Sequence, residues 1–209
     1  MSQDIILYGL PISTYVRTAR MTCVEKGINH TLESADFGSE DYRSNHHPYS
    51  KFPAMRHGDF DLFETTAIIR YIDETFDGPA LQPTSAADRA VMEQWMGVLD
   101  SYVYPRCIAA YVLQYIIPRG PDGKPDRAAI DAALPNVKHD LGLLERAYQG
   151  REWVAGDAIS LADLLIAPVV QTIGMVPEGA EMLGQHANLQ GLLSRIGERP
   201  SAAFLAPPQ

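Results

Sequence analysis

"LYGLPISTYVRTARMTCVEKGI", Leu7 to Ile28, joins an apolar run to a helical pattern through a turn that holds Pro11, Ser13 and Thr14. The run from Asp4 to Gly9 is long enough for a buried strand. Val16, Ala19, Cys23 and Val24 then fall at helical spacing, with Arg17, Arg20, Glu25 and Lys26 on other faces, and Gly27 suits a C-terminal cap. A serine just before a helix reads first as an N-cap, its oxygen accepting a backbone N–H for about 1 kcal/mol. In a second reading the same helix start meets an anion, with free N–H groups, the positive end of the dipole and the hydroxyl donating to it. A thiolate is favoured at such a site. The chain supplies no obvious nucleophile, so the thiol would arrive with a ligand. Position alone leaves both readings open.

The flanking sequence continues the alternation. Asn29 to Ala35 reads as a second strand, and Ser39 to Ser44 as a polar stretch of weak helical character. Ala54 to Phe63 reads as a hairpin turning at His57–Asp59, because Gly-Asp is turn chemistry. Thr66 to Phe76 puts Ile68, Ile69, Ile72 and Phe76 on one helical face. Strand, helix, strand, helix, strand, strand, helix make a compact α/β domain, 1–78. A proline-bearing linker, 79–85, leads to an all-helical domain, 86–209. There the pattern predicts helices over Asp88 to Tyr102, Arg127 to Tyr148, Leu161 to Ile173 and Leu189 to Gly197. Pro105 marks a kink or a new start, Pro135 a kink, and Pro118 to Asp126 a loop. Leu161 to Ile173 is nearly all apolar and is expected at the centre.

Composition bounds the function. The 209 residues are 46% hydrophobic, enough for a packed core, and carry a net charge of −9 without a basic stripe, which argues against a nucleic-acid partner. The N-terminus does not read as a secretory signal, and no apolar run approaches the roughly 20 residues that span a bilayer. Two cysteines, Cys23 and Cys107, lack metal-ligand spacing, and His46 and His47 are adjacent, so no metal motif is present. Few cysteines and no signal predict a cytoplasmic protein.

Three further motifs stand out. In "SKFPAM", Ser50 to Met55, Pro53 sits where a hairpin strand begins; a cis bond there would leave the backbone groups of Phe52 facing outward, ready to bond an extended peptide. In "LFETTAII", Leu62 to Ile69, a strand ends and a helix opens on Glu64, Thr65 and Thr66. Thr65 reads as an N-cap, and the same geometry can hold a carboxylate while Glu64 accepts from an ammonium. In "VAGDAISLADLLIAP", Val154 to Pro168, Ser160 and Asp163 form a capping box and Ile159 and Leu164 a hydrophobic staple, a device for folding.

Each motif is weak alone. In this order, on this two-part layout, they resemble one family over essentially the whole chain: the cytosolic glutathione transferases. Leu7 to Ile28 resembles the first strand and helix, "KFPAM" the cis-proline motif, "LFETTAIIRYI" the acidic–hydroxyl pair that opens the third helix, and Val154 to Pro168 the capping-box segment. The resemblance implies a thioredoxin-like N-terminal domain, an all-helical C-terminal domain, a homodimer, and glutathione as co-substrate without a metal. "GLPIS" resembles the phi-like version of the serine-type classes, with Ser13 four residues before Arg17. By that resemblance Ser13 donates to the glutathione sulfur. A charge-assisted bond of about 1.5–3 kcal/mol would lower the thiol pKa by roughly 1 to 2, enough to make much of it thiolate at neutral pH. Tyr8, where tyrosine-type classes keep a phenol, and Thr14 are the rivals. Phe52 would pair with the cysteinyl backbone beside a cis Pro53, Glu64 and Thr65 would hold the γ-glutamyl end, and Lys51 would pair with a carboxylate. No residue is assigned to the glycyl carboxylate, although His46 or His47 could approach it. Cys23 is expected in the core.

The second substrate, a small hydrophobic electrophile, is expected where the two domains face each other, with Pro11, Ile12, Tyr15, Tyr104, Arg106, Tyr111 and Tyr115 as wall residues; the alternative is that several of these are ordinary core residues. A tyrosine-rich wall suits an aromatic electrophile. Three activities stay open: conjugation for detoxification, another glutathione-dependent reaction (peroxidase, dehalogenase or isomerase), and a non-catalytic binding or scaffold protein on the same fold.

Overall fold

A computed structural model describes residues 4–208 as two compact units. The first runs through Gln82 and takes in the chain again from Ile196; the second is Pro83–Arg195.

The first unit is built on a four-stranded sheet in the order β2-β1-β3-β4, with β1 Ile5–Tyr8, β2 His30–Glu33, β3 Ala54–His57 and β4 Phe60–Phe63. β1 pairs parallel with β2 and antiparallel with β3, and β3 and β4 form the hairpin, turning through Gly58 at φ +60°. Alternation along β1 sends Ile5 and Leu7, both fully buried, to one face and Ile6 and Tyr8 to the other. Helices α1 Thr14–Glu25 and α3 Thr65–Thr75 pack on each other. The short α2, Glu40–Asn45, sends Tyr42 into a cluster with Tyr8 and Ala54, flanked by Ile6, Ala35 and Phe37. The predicted face of α3 is buried at Ile68, Ile69 and Ile72, but Phe76 lies past the helix in extended backbone. Gly27, at φ +70°, ends α1 in the left-handed conformation a side chain resists.

The last residues depart from the expected boundary. The segment from Ile196 belongs to the first unit instead of the all-helical one. Its tie is electrostatic: Glu25 takes two bonds from Arg199, at 3.1 and 2.7 Å, and one from Ser201 Oγ at 2.5 Å. Arg17 Nη1 donates to the Leu205 carbonyl, and the Arg20 guanidinium lies 3.8 Å from the centre of the Phe204 ring. Burial lowers the Arg17 pKa to about 10, which leaves it protonated at neutral pH. The linker is tied down too: Asp73 accepts from Lys26 Nζ at 3.1 Å and from the Leu81 N–H at 2.9 Å.

The second unit is helical: α4 Ala86–Val98, a π-helical run Leu99–Val112, α5 Leu113–Ile116, α6 Arg127–Ala147, α7 Leu161–Ile173, α8 Pro177–Leu183 and α9 Ala187–Gly197, which carries the chain back to the first unit. Pro105 does not start a new helix; it lies inside the π-helical run. Helix α7 has the predicted bounds, and all but one of its residues, Gln171, are buried. Asp163, fully buried, explains its start: it accepts from Ser160 N–H and Oγ (2.8 and 2.7 Å), Val154 N–H (2.9 Å) and Tyr148 O–H (2.9 Å). Among the described residues no helix is long and apolar enough to cross a membrane.

A second knot joins the π-helical run, α5, α6 and α8. Glu178 accepts from Tyr111 O–H at 3.0 Å, from Tyr115 O–H at 2.6 Å and from Arg127. Burial opposes its ionisation, but the donors from Tyr115, Arg127, its own backbone and Tyr111 outweigh burial and hold the carboxyl at about 2, against an ordinary 4.5. A folded pKa below the unfolded one stabilises the fold above pH 4.5, and that stability is lost as the pH falls toward 2. Wild type should therefore show a higher urea midpoint than Glu178→Gln at pH 7, and the gap should close between pH 4.5 and 2. A gap independent of pH would refute this.

Candidate active site

Strand register assembles the site. Tyr8 stands opposite Ala54, and Ala54 opposite Phe63. The end of β1, the start of β3 and the end of β4 therefore form one row, with strands about 4.8 Å apart. Three segments emerge at this one edge: the Ser13 turn after Tyr8, Phe52–Pro53 before Ala54, and Glu64–Thr65 after Phe63. Gly9 makes the first two adjoin, since a Cβ there would overlap Val16 and touch the Cβ of Phe52 at 3.4 Å.

Ser13 is the N-cap of α1. Its backbone is extended, and its Oγ accepts the Val16 N–H at 3.4 Å. Capping uses a lone pair of the hydroxyl and leaves its hydrogen to donate, so the two readings of Ser13 do not compete. The side chain is half-buried. The first-turn N–H groups and the dipole of a twelve-residue helix face the same point. Pro11 and Ile12 beside it are exposed, Ile12 by 44%, and Tyr15 is half-buried.

The rivals fare differently. Tyr8 is 8% exposed, packed in the cluster under α2 with its ring 4.2 Å from that of His46. Burial raises its phenol pKa, with Glu33 and Asp61 adding and Arg56 opposing, which makes it a weaker partner for a thiolate. Thr14 is buried, and its Oγ1 has no hydrogen-bond partner. Cys23 is fully buried, and burial pushes its thiol up to about 12. Cys107, also buried, is pushed up by burial and by Asp140, whose Oδ2 lies 3.8 Å from Sγ. Neither thiol is a nucleophile at neutral pH.

The Phe52–Pro53 bond is cis, and Phe52 is half-buried at the rim. Glu64, not Thr65, occupies the cap position of α3: it has φ +71° and makes no side-chain cap bond, and Thr65 is the first helical residue, buried. Both hydroxyl and acid thus sit at a helix start whose N–H groups no side chain caps, an arrangement suited to a carboxylate. A non-glycine residue at positive φ costs about 1–3 kcal/mol and marks functional turns. The Glu64 side chain is exposed, 3.9 Å from His47 Nε2.

Neither histidine side chain is exposed. His47 is buried; burial lowers its pKa, with Glu64 opposing, and its Nδ1 accepts the Tyr49 N–H at 3.3 Å. His46 stacks on Tyr8 and Tyr42. Lys51 is exposed. Among the described residues no three His, Cys, Asp or Glu side chains converge as a metal site.

The tyrosines of the second unit correct the expected wall. Tyr111 is fully buried, its O–H given to Glu178 and its oxygen accepting the Gly179 N–H at 2.8 Å, so it is a core residue. Tyr115 spends its hydroxyl on the same carboxylate. Arg106 pairs with the buried Asp140 at 3.3 Å, and Tyr104 is half-buried. Sequence reading missed the anchor beneath the rim, Tyr42, whose signal was a lone aromatic in the polar run EDYRSN.

Comparison with known proteins accords with this geometry. The profile of the glutathione S-transferase N-terminal domain matches residues 7–80, and that of the glutathione S-transferase C-terminal domain matches residues 103–200. Glutathione S-transferase 1 of Zea mays is 26% identical, the alignment covering 96% of this chain and 94% of the relative. Glutathione S-transferase F10 of Arabidopsis thaliana is 29% identical over 77% of each. The crystal structure of glutathione transferase F7 from Populus trichocarpa superposes with a TM-score of 0.85 at 25% identity, over 96% of this chain and 97% of that one. With both halves matched, a sheet of thioredoxin-like order and three motifs meeting at one edge, the chain belongs to the glutathione S-transferase family.

Proposed function

We infer that the chain is a glutathione transferase that ionises the glutathione thiol and directs it at a hydrophobic electrophile. The observation that carries the reading is the Ser13 hydroxyl, which caps α1 through its oxygen and keeps its O–H to donate at the edge it shares with Phe52 and Glu64. Glutathione is held along that edge. The γ-glutamyl ammonium meets Glu64, its carboxylate the start of α3 at Thr65, the cysteinyl backbone pairs with Phe52 beside Pro53, and Lys51 pairs with a carboxylate of the tripeptide. The sulfur then lies before the N-terminus of α1. There the Ser13 O–H and the helix dipole stabilise the thiolate over the thiol, and the proton leaves to solvent. The thiolate forms a C–S bond at the electrophilic carbon, and the leaving group departs with the bonding pair. Exposed Pro11 and Ile12 give the electrophile an apolar surface beside the nucleophile. Detoxification in the cytoplasm fits this chemistry, and both cysteines are free thiols, as a reducing compartment keeps them.

Ultraviolet absorbance of the thiolate, titrated against pH with glutathione saturating the protein, tests the reading directly; a signal persisting at or below pH 7 is expected. Ser13→Ala should cut turnover with an aryl halide at least tenfold while the glutathione Kd changes by less than twofold, and lower stability by about 1 kcal/mol through the lost cap. Tyr8→Phe should keep turnover within twofold. Full activity in Ser13→Ala with a loss in Tyr8→Phe would transfer the role to the phenol.

A homodimer is part of the same reading. Tyr49 is 75% and Phe60 45% exposed on the first unit, apolar surface that a second copy would cover. Sedimentation velocity at micromolar protein should give a dimer for wild type and a shift toward monomer for Tyr49→Asp; a monomeric wild type would exclude it.

A further inference from the structure

We propose that Tyr42 is a positioning residue for glutathione, acting through the peptide group that joins Lys51 to Phe52; the proposal rests on the reading of Phe52 as the backbone partner of the cysteinyl unit. The Tyr42 O–H donates to the Lys51 carbonyl at 2.8 Å. That carbonyl and the Phe52 N–H belong to one peptide, and this peptide is trans, since the cis bond lies one residue later. A trans peptide is planar, with its C=O and N–H pointing to opposite sides. Holding the Lys51 oxygen toward α2 therefore aims the Phe52 N–H away from it. Pro53 brings no N–H, so this is the donor that the Phe52–Pro53 pair has for an extended ligand.

Tyr42 is itself held firmly. It is 1% exposed and is the buried residue of α2. Its N–H donates to Ser39 Oγ at 3.1 Å, and Ser39 Oγ donates to the Asp36 carbonyl at 2.7 Å, so the turn before the helix fixes its backbone. Its ring meets Phe37 edge-on at 5.0 Å, and Phe37 lies 4.9 Å from Phe52, so the same aromatic row supports the side chain of the pairing residue. Burial pushes the phenol up to about 12, with Tyr8 adding, and the hydroxyl stays a donor across the working pH range. Without the O–H, the 51–52 peptide is free to rotate and the amide must be ordered by the ligand, which weakens binding and leaves the chemical step alone.

Tyr42→Phe removes one oxygen and keeps the ring. In the full chain, calorimetry should give a glutathione Kd raised about five- to tenfold, the worth of one hydrogen bond. KM for glutathione should rise in step. Turnover at saturating glutathione should stay within twofold, and the pH at which the bound thiol ionises should not move, because Ser13 is untouched. In 15N-labelled protein the Phe52 amide resonance should shift downfield on adding glutathione, and shift less in the variant. An unchanged Kd in the variant, or a wild-type Phe52 amide insensitive to glutathione, overturns the proposal. So does a fall in turnover together with the unfolding midpoint, which would make Tyr42 a packing residue only. A wild type that does not bind glutathione overturns the reading of Phe52 as well, and calorimetry on wild type separates that case from failure of Tyr42 alone.

Discussion

The pairing of Tyr8 with Ala54, and of Ala54 with Phe63, is the constraint on which the rest of this structure hangs. Side chains alternate along a strand, so a slip of one residue between β1 and β3 would turn Leu7 or Met55, paired and both fully buried, toward the α2 face and would shift the loops at that edge out of line. Burial of those side chains enforces the register, and the register in turn brings together Ser13, Phe52 and Glu64, which lie far apart in the chain. The hydrophobic core of the first unit and the chemistry at its edge are thus one specification.

The site also resolves a tension between folding and function. Helix N-termini need caps, and catalytic hydroxyls need free hydrogens. A serine oxygen has lone pairs for the first task and a proton for the second, and Ser13 uses its oxygen for Val16. The start of α3 takes the opposite course: no side chain caps it, and Glu64 sits at a strained backbone angle. A helix start left uncapped at an open edge is less stable by itself and would be stabilised by any carboxylate bound there.

Much of this was legible in the sequence, where the signal is local. The turn chemistry around Gly58, the left-handed cap at Gly27, the bounds of α7 and the Ser160–Asp163 box all depend on residues within a few positions of one another. The motif residues of the candidate site could be nominated from sequence for the same reason, each being turn or cap chemistry. The failures are long-range. Glu25 and Arg199 are separated by 174 residues, and no periodicity announces their pairing. Tyr111 has the composition of a pocket wall, but its destination was set by Glu178, 67 residues away. Thr65 was displaced from the cap position by one residue, the ordinary error at a helix end. Helix α8 was too short to leave a pattern, and the run around Pro105, which packs against α6 and α7, carries no periodicity that marks it as π-helical.

The return of the chain from Ile196 to the first unit sets an order on synthesis. Domains generally fold as they leave the ribosome, N-terminal first. Here the sheet and its three helices emerge early, yet the carboxylate of Glu25 must wait for Arg199 and Ser201, 174 and 176 residues later. Of the two units, the first to be made is therefore the last to be finished, and the helix that Ser13 caps acquires its outer cover only after the second unit has emerged.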